Sequence, residues 1–523
     1  MTALYDIAVV GSGFGGSLLS MIARQSGRSV ILIERGRHPR FAIGESSTPL
    51  ANLLLEQLAE RYGLSRLLPL TRWGRWRENY PGLACGLKRG FTFYHHTPGQ
   101  PWTPSPDHDN ELLVAASPHD RIADTHWYRA DFDQFLVQEA ERAGVEYWDQ
   151  TELRQPRLGE DTVEIPGTRL GRPFTIRARF LVDASGPRGF LHRAWGIGET
   201  PVESMPPTGG LYTHFTGVRR WGDLPGRFRA NETPPYPVDD AAMHHVFEGG
   251  WIWVLRFNNG VTSAGVAATA ATAHELRLAE GAPAWARLLD RLPSVREQFA
   301  EAQPVFPFVH APRLSFRSTV AAGPRWALLP SAAGFIDPLL SNGFPLTLLG
   351  ISRLGATIER HWGGEEFGRA LAAYNSATLS ELDLVADLVG ALYARLGDFP
   401  LFTALSLLYF AAASFTESAR RLGQPGLAGD TFLAGDHATF GPGLRRCCAQ
   451  ARRRLAAGEK AELLKEIYET MEPLDVAGLT DRSRRNWYGV QAGDLIAAAG
   501  KLGVDAGAIH RLLERCEFAE TTA

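Results

Sequence analysis

Ile7-Ala8-Val9-Val10-Gly11-Ser12-Gly13-Phe14-Gly15-Gly16, followed by Val30-Ile31-Leu32-Ile33-Glu34, is the stretch on which the fold turns. The first four residues are a short apolar run suited to a strand buried on both faces. A glycine turn follows, then a helical apolar pattern at Leu18, Leu19, Met21 and Ile22. The second apolar run ends on an acid. Strand, glycine turn, helix, strand and acid, in that order, form a dinucleotide-binding unit. Gly11 allows the tight turn, Gly13 lets backbone approach a pyrophosphate, and Gly16 lets the helix pack close to the sheet. The helix N-terminus favours the phosphate charge. Glu34, eighteen residues after Gly16, stands where an acid can accept ribose hydroxyls.

The chain around this unit has 523 residues, enough for about three domains or two large units. Hydrophobic residues at 45% and charged residues at 21% match a globular average and exclude a disordered or collagen-like chain. A net charge of −3 gives no basic excess for non-specific nucleic-acid binding. Cys85, Cys447, Cys448 and Cys516 are too few and too irregular for a disulfide framework or a zinc site. The pairs His95-His96 and His244-His245 have no carboxylate or cysteine at ligand spacing, so no metal is expected. A reducing, cytoplasmic setting is the expectation, with no secretory signal. The apolar window Pro400 to Phe415 is expected to be a buried helix or pocket wall rather than a membrane span.

Three later segments favour FAD over NAD. They are Gly44-Glu45-Ser46 before Pro49, Tyr128-Arg129-Ala130-Asp131-Phe132-Asp133 before an amphipathic helix, and the strand Phe180-Leu181-Val182-Asp183 ending in Ala184-Ser185-Gly186. Over about residues 5–360 the chain resembles the flavoprotein superfamily of the aromatic hydroxylases, geranylgeranyl reductases and flavin-dependent halogenases. The expected fold is α/β. It comprises a Rossmann-type FAD-binding domain (1–80, 115–200 and 310–365), an inserted antiparallel-sheet substrate domain (81–114 and 201–309) and a helical C-terminal region (366–523). The resemblance implies FAD binding by Gly11, Gly13, Phe14, Gly16, Glu34, Arg35, Glu45, Ser46, Arg129, Asp183, Ser331, Asp337 and Gly343. Only one glycine fingerprint of this type is present. Electrons therefore come from a transient nicotinamide, from the organic substrate, or from reduced flavin made by a separate reductase.

Ala333-Gly334-Phe335-Ile336-Asp337-Pro338-Leu339-Leu340-Ser341-Asn342-Gly343 resembles the loop beside the flavin in the flavin-dependent halogenases, and implies a chloride site at Ser341, Asn342 and Gly343. The alternative is an ordinary flavin-binding helix start. Pro330-Ser331 stands where that family has Gly-Asp, so weaker FAD retention is expected. Lys88-Arg89-Gly90-Phe91-Thr92-Phe93 is similar to the stretch carrying the family's essential lysine. It implies that Lys88 holds a hypohalous oxidant, formed from reduced flavin, oxygen and halide, and aims it at a carbon nucleophile. Desolvation would lower the pKa of such a lysine. Trp251 and Trp253 share a strand face by period two and, with His95 and Leu340, are candidate substrate contacts. Leu255-Arg256 follows them where the family has Ile-Pro. Leu340 replaces a glutamate found in halogenases of free tryptophan. The small-molecule substrate is then expected to be a phenol, a pyrrole or an activated carbon. The basic cluster Arg445, Arg446, Arg452, Arg453 and Arg454 reads as a solvated face or as a dock for an acyl or peptidyl carrier protein. Halogenation leads this reading. A dehydrogenase or monooxygenase of the same superfamily is the rival, and a flavin-bound sensor is the third possibility.

Overall fold

The computed structural model describes residues 4–519. Its first sheet has a parallel core, with Glu146–Trp148, Val30–Ile33, Leu4–Val10, Arg172–Asp183 and Trp326–Leu328 side by side in that order. Ile7 to Val10 and Val30 to Ile33 are all buried, as continuous apolar strands covered on both faces should be. The helix Phe14–Gln25 crosses between the first two strands and packs against Arg129–Arg142 and Gly343–His361. Gly11 has φ +99°, and a Cβ there would lie 2.6 Å from the Ala184 carbonyl oxygen. A Cβ on Gly16 would lie 1.9 Å from the Gly11 carbonyl oxygen, so the strand–helix contact admits no side chain.

The second sheet carries Gly90–His96, Glu111–Ala115, Thr208–Thr216, Ala242–Phe247, Gly250–Arg256 and Thr262–Thr269. Most neighbours are antiparallel, as expected, but Ala242–Phe247 runs parallel to Gly90–His96. These two strands come from separate stretches of chain, so no hairpin imposes an antiparallel pairing. A short strand from the C-terminal region, Trp487–Tyr488, joins the same sheet beside Glu111–Ala115.

Against the second sheet lies a two-stranded ribbon, Cys85–Lys88 paired with Asp124–Trp127. A Cβ on Gly86 would sit 2.0 Å from the Arg256 carbonyl oxygen, which is how closely the ribbon approaches the second sheet. The C-terminal region is otherwise helical, with Glu366–Tyr393, Phe399–Arg421, Phe440–Ala451 and Ala457–Met471 its main elements. Phe399–Arg421 starts with Pro400 in its first turn and ends on Arg420 and Arg421, a favourable charge at that end. It is long and apolar enough to cross a membrane, yet 83% of its apolar window is buried inside the protein. Phe402 and Phe410 dock it onto Phe93 and Phe91 of the second sheet.

Candidate active site

At the carboxyl edge of the parallel sheet, Glu34 accepts from the backbone N–H of Ser12 and Gly36, and Arg40 lies 3.6 Å away. Burial would raise its carboxyl, but Arg40 and these donors outweigh burial and hold it below the ordinary range. The space in front of Gly13 is lined by two guanidinium groups and by the carboxylate that holds one of them, since a Cβ there would be 3.3 Å from Arg129, 3.7 Å from Asp133 and 3.8 Å from Arg40. Arg129 is fixed by both Asp133 oxygens, at 2.8 Å each, and by the carbonyls of Ile43 and Gly44. A bare glycine, two guanidinium groups and an acid at the strand end suit a dinucleotide diphosphate with its ribose. Arg35 is exposed, and Arg40 takes the position beside Glu34. Asp183 spends both oxygens on Ser185 and the Leu191 amide, so it shapes its own turn. Glu45 is buried against His214 at 2.9 Å. Ser331 is half-buried in the short helix Pro330–Ala333.

Lys88 is fully buried. Its Nζ donates to Ser46 Oγ at 2.9 Å and to the Ser47 carbonyl at 2.5 Å, and lies 3.8 Å from the centre of the Phe91 ring. Burial pushes the amine down to about 7, against the pull of Asp124, its register partner across the ribbon. Burial likewise pushes the Asp124 carboxyl up, against the attraction of Lys88. His126 and His244 are each held down to about 3, by burial and also by the Lys88 charge, so both stay neutral.

The turn before Gly343–His361 places two non-glycine residues in the left-handed region, Leu340 at φ 64° and Ser341 at φ 54°. Such backbone is held only where its surroundings enforce it. Here Asn342 Nδ2 donates to the Asp337 and Leu339 carbonyls. No side chain caps the helix, and a Cβ on Gly343 would meet nothing within 4 Å. An open, uncapped helix start can receive an anion or a carbonyl oxygen. Asp337 is buried and raised to about 7, chiefly by desolvation, and accepts from the Tyr393 hydroxyl at 2.8 Å. Tyr393 in turn accepts from Trp251 Nε1 at 3.2 Å, which ties the tryptophan strand to this turn. Trp251 and Trp253 do share a face, with ring centres 5.8 Å apart.

A cavity of about 230 Å³ has a wall that includes Asn52, Phe91, Asp124, Tyr409, Phe410 and Phe518; Lys88 is not among its lining residues. Charged side chains at its rim pair among themselves, Arg421 with Glu417 at 2.7 Å and with Glu56 at 3.4 Å. The last described turn of chain closes one side, held by Glu517 among Arg72, Arg75 and Arg121.

Of the candidate substrate contacts, His95 stacks on Phe399 with ring centres 5.0 Å apart and does not line this cavity. Leu340 lies in the Asp337 turn, Trp251 is tied to it through Tyr393, and Trp253 stands beside Trp251 and donates to Ser263; none of the three lines this cavity. Asp124, Asn52 and Tyr409 were not singled out from the sequence. Asn52 and Asp124 are 72 positions apart, and only the ribbon register brings Asp124 opposite Lys88. In the basic cluster, Arg446 pairs with Glu466, Arg452 with Asp387, and Arg445 donates to the Gly435 carbonyl.

The tryptophan halogenase family model matches residues 124–398. The monodechloroaminopyrrolnitrin halogenase PrnC of Pseudomonas fluorescens is 31% identical over 411 residues, covering 77% of this chain and 70% of that protein. The tetracycline 7-halogenase of Kitasatospora aureofaciens is 28% identical over 420 residues, covering 78% and 73%. Among solved structures, the halogenase PltM in complex with phloroglucinol and FAD matches with a TM-score of 0.80 at 24% identity, over 92% of this chain and 99% of that one. That last likeness is one of fold.

Proposed function

The chain belongs to the tryptophan halogenase family of flavin-dependent halogenases, and from that premise we propose that Lys88 delivers an electrophilic halogen to a small, electron-rich substrate. It is an FAD-dependent oxidoreductase-type enzyme. FAD, when bound and reduced, supplies the electrons with which dioxygen and halide yield hypohalous acid. We assign its diphosphate to Gly13 with Arg129 and Arg40, its ribose to Glu34, and its ring end to the open start of the helix at Gly343. The same turn, Ser341 to Gly343, is the proposed halide site.

The burial of Lys88 carries the reading. A solvated lysine near 10 is almost wholly ammonium at neutral pH and cannot accept a halogen. Burial at this site makes the neutral amine available close to pH 7. Ser46 Oγ and the Ser47 carbonyl fix Nζ by hydrogen bonds, and Phe91 shields it from water. The nitrogen lone pair can then hold hypohalous acid by hydrogen bonding or accept the halogen, with loss of water. The donor of reduced flavin is a separate reductase in this proposal.

The test supplies FAD, a flavin reductase, NADH, oxygen and bromide with a simple phenol. Brominated product supports the reading. Oxidised or hydroxylated product without bromine would favour the dehydrogenase or monooxygenase rival.

A further inference from the structure

Asp124 is 5% exposed and sits at the start of the strand Asp124–Trp127, on the wall of the cavity. Its Oδ1 accepts from Asn52 Nδ2 at 2.8 Å. Its Oδ2 is buried with no hydrogen-bond partner. A buried carboxylate oxygen without a donor is costly to keep, and a ligand that brings a donor removes that cost. The surrounding wall is aromatic. The rings of Phe91 and Phe410 lie 5.0 Å apart and tilted by 58°. The Tyr409 phenol is pushed up by burial and then by the negative charge of Asp124, which places the two groups near one another. A cavity of roughly 150 Å³ holds one benzene ring, so about 230 Å³ holds a substituted ring.

We propose that Asp124 selects the substrate by accepting, at Oδ2, a hydrogen bond from a ring hydroxyl or ring-borne N–H of an aromatic molecule lying against Phe91 and Phe410. The class taken is a phenol or an aromatic amine or azole, and arenes without such a donor are rejected. This rests on the reading of Lys88 as the halogen-delivering amine. Register partners of an antiparallel ribbon present their side chains on one face, with Cβ atoms about 4.5–5.5 Å apart. Lys88 therefore lies on the same ribbon face as Asp124, while Asp124 and Phe91, and not Lys88 itself, form the cavity wall. A donor shared with a carboxylate also pushes electron density into the ring, and so favours attack on an electrophilic halogen.

Equilibrium binding tests this without turnover. Phenol and anisole form one pair of probes, aniline and N,N-dimethylaniline the other, so oxygen and nitrogen donors are read separately. The wild-type chain should bind the donor-bearing member of at least one pair about tenfold or more tightly than its methylated partner. Asp124→Asn and Asp124→Leu should bring that ratio to within about twofold while leaving the methylated partner's affinity in place. A wild-type ratio near one overturns the proposal without any variant. A ratio retained in Asp124→Leu overturns it too. Loss of both members of a pair also counts against it, because the effect then comes from a rearranged cavity. Failure here with intact bromination separates this proposal from the role of Lys88. Absent bromination with the binding ratio intact leaves Asp124 as a donor-selecting contact and removes Lys88's part.

Discussion

Lys88 and Asp124 are direct register partners in the buried ribbon against the second sheet, one an amine pushed down by burial and the other a carboxyl pushed up by it. Shifted acid–base pairs beside a cavity recur at sites that move protons near neutrality, as they do in structural ion pairs. The amine fraction of Lys88 grows as pH rises through about 7. We expect the bromination rate at saturating substrate to show a rising limb centred near pH 7. A limb that keeps rising toward pH 10 would mean an ordinary, solvated lysine.

The strand–helix contact at the opening unit gives a sharp test of cofactor binding. Gly16→Ala puts a methyl group 1.9 Å from the Gly11 carbonyl oxygen, so the helix must shift away from the sheet. We expect FAD retention to fall about fivefold to a hundredfold, the scale of a disturbed core contact of roughly 1–3 kcal/mol. Measured FAD per chain after gel filtration is the readout. Gly27→Ala, with φ +81° and open space around it, should cost about 1–2 kcal/mol of stability through backbone strain alone and leave FAD bound.

Asp337 sets a pH dependence of stability. Its folded carboxyl is raised from the ordinary value to about 7. Between about pH 4 and 7 the folded chain holds a proton that the unfolded chain has released, so this group's stabilising contribution is complete at low pH and is lost as pH rises toward 7. The slope is about 1.4 kcal/mol per pH unit for one such group. Asp337→Asn should flatten the fall of the unfolding midpoint between pH 5 and pH 8. An unchanged profile would show that Asp337 titrates normally.

The docking of the apolar helix is testable through Phe402, which is fully buried against Phe93. Phe402→Ala should cost about 3–5 kcal/mol, read in denaturant unfolding. By contrast Glu517→Ala removes partly exposed ion pairs, worth about 1 kcal/mol or less. Its effect should appear in access to the cavity, as faster uptake of bulky arenes, because Phe518 and Cys516 line that wall.

Much of this was legible in the residues, for stated reasons. Ile7 to Val10 and Val30 to Ile33 announce strands covered on both faces, and the glycines between them leave few alternatives. Lys88 was legible through family resemblance alone, and the burial of the Pro400–Phe415 window was readable from its apolarity and interrupting polar residues. The partners were not legible. Whether Asp124 faces Lys88 depends on ribbon register, and whether Tyr393 reaches Asp337 depends on how a helix 56 residues on packs back. The basic cluster looked free in one dimension, yet Arg446 and Arg452 meet Glu466 and Asp387 from neighbouring helices. Local pattern reports an element's own burial, and pairing between distant elements is decided by packing.

The most direct measurement compares wild type with Lys88→Ala in bromination of a phenol, with a reductase supplying reduced flavin and with FAD content and peroxide release followed in parallel. Delivery by the Lys88 amine means that product formation drops at least about a hundredfold, the scale of a lost catalytic group, while peroxide release continues. A Lys88→Ala chain that brominates within a few-fold of wild type would show that the halogen reaches its target without this lysine.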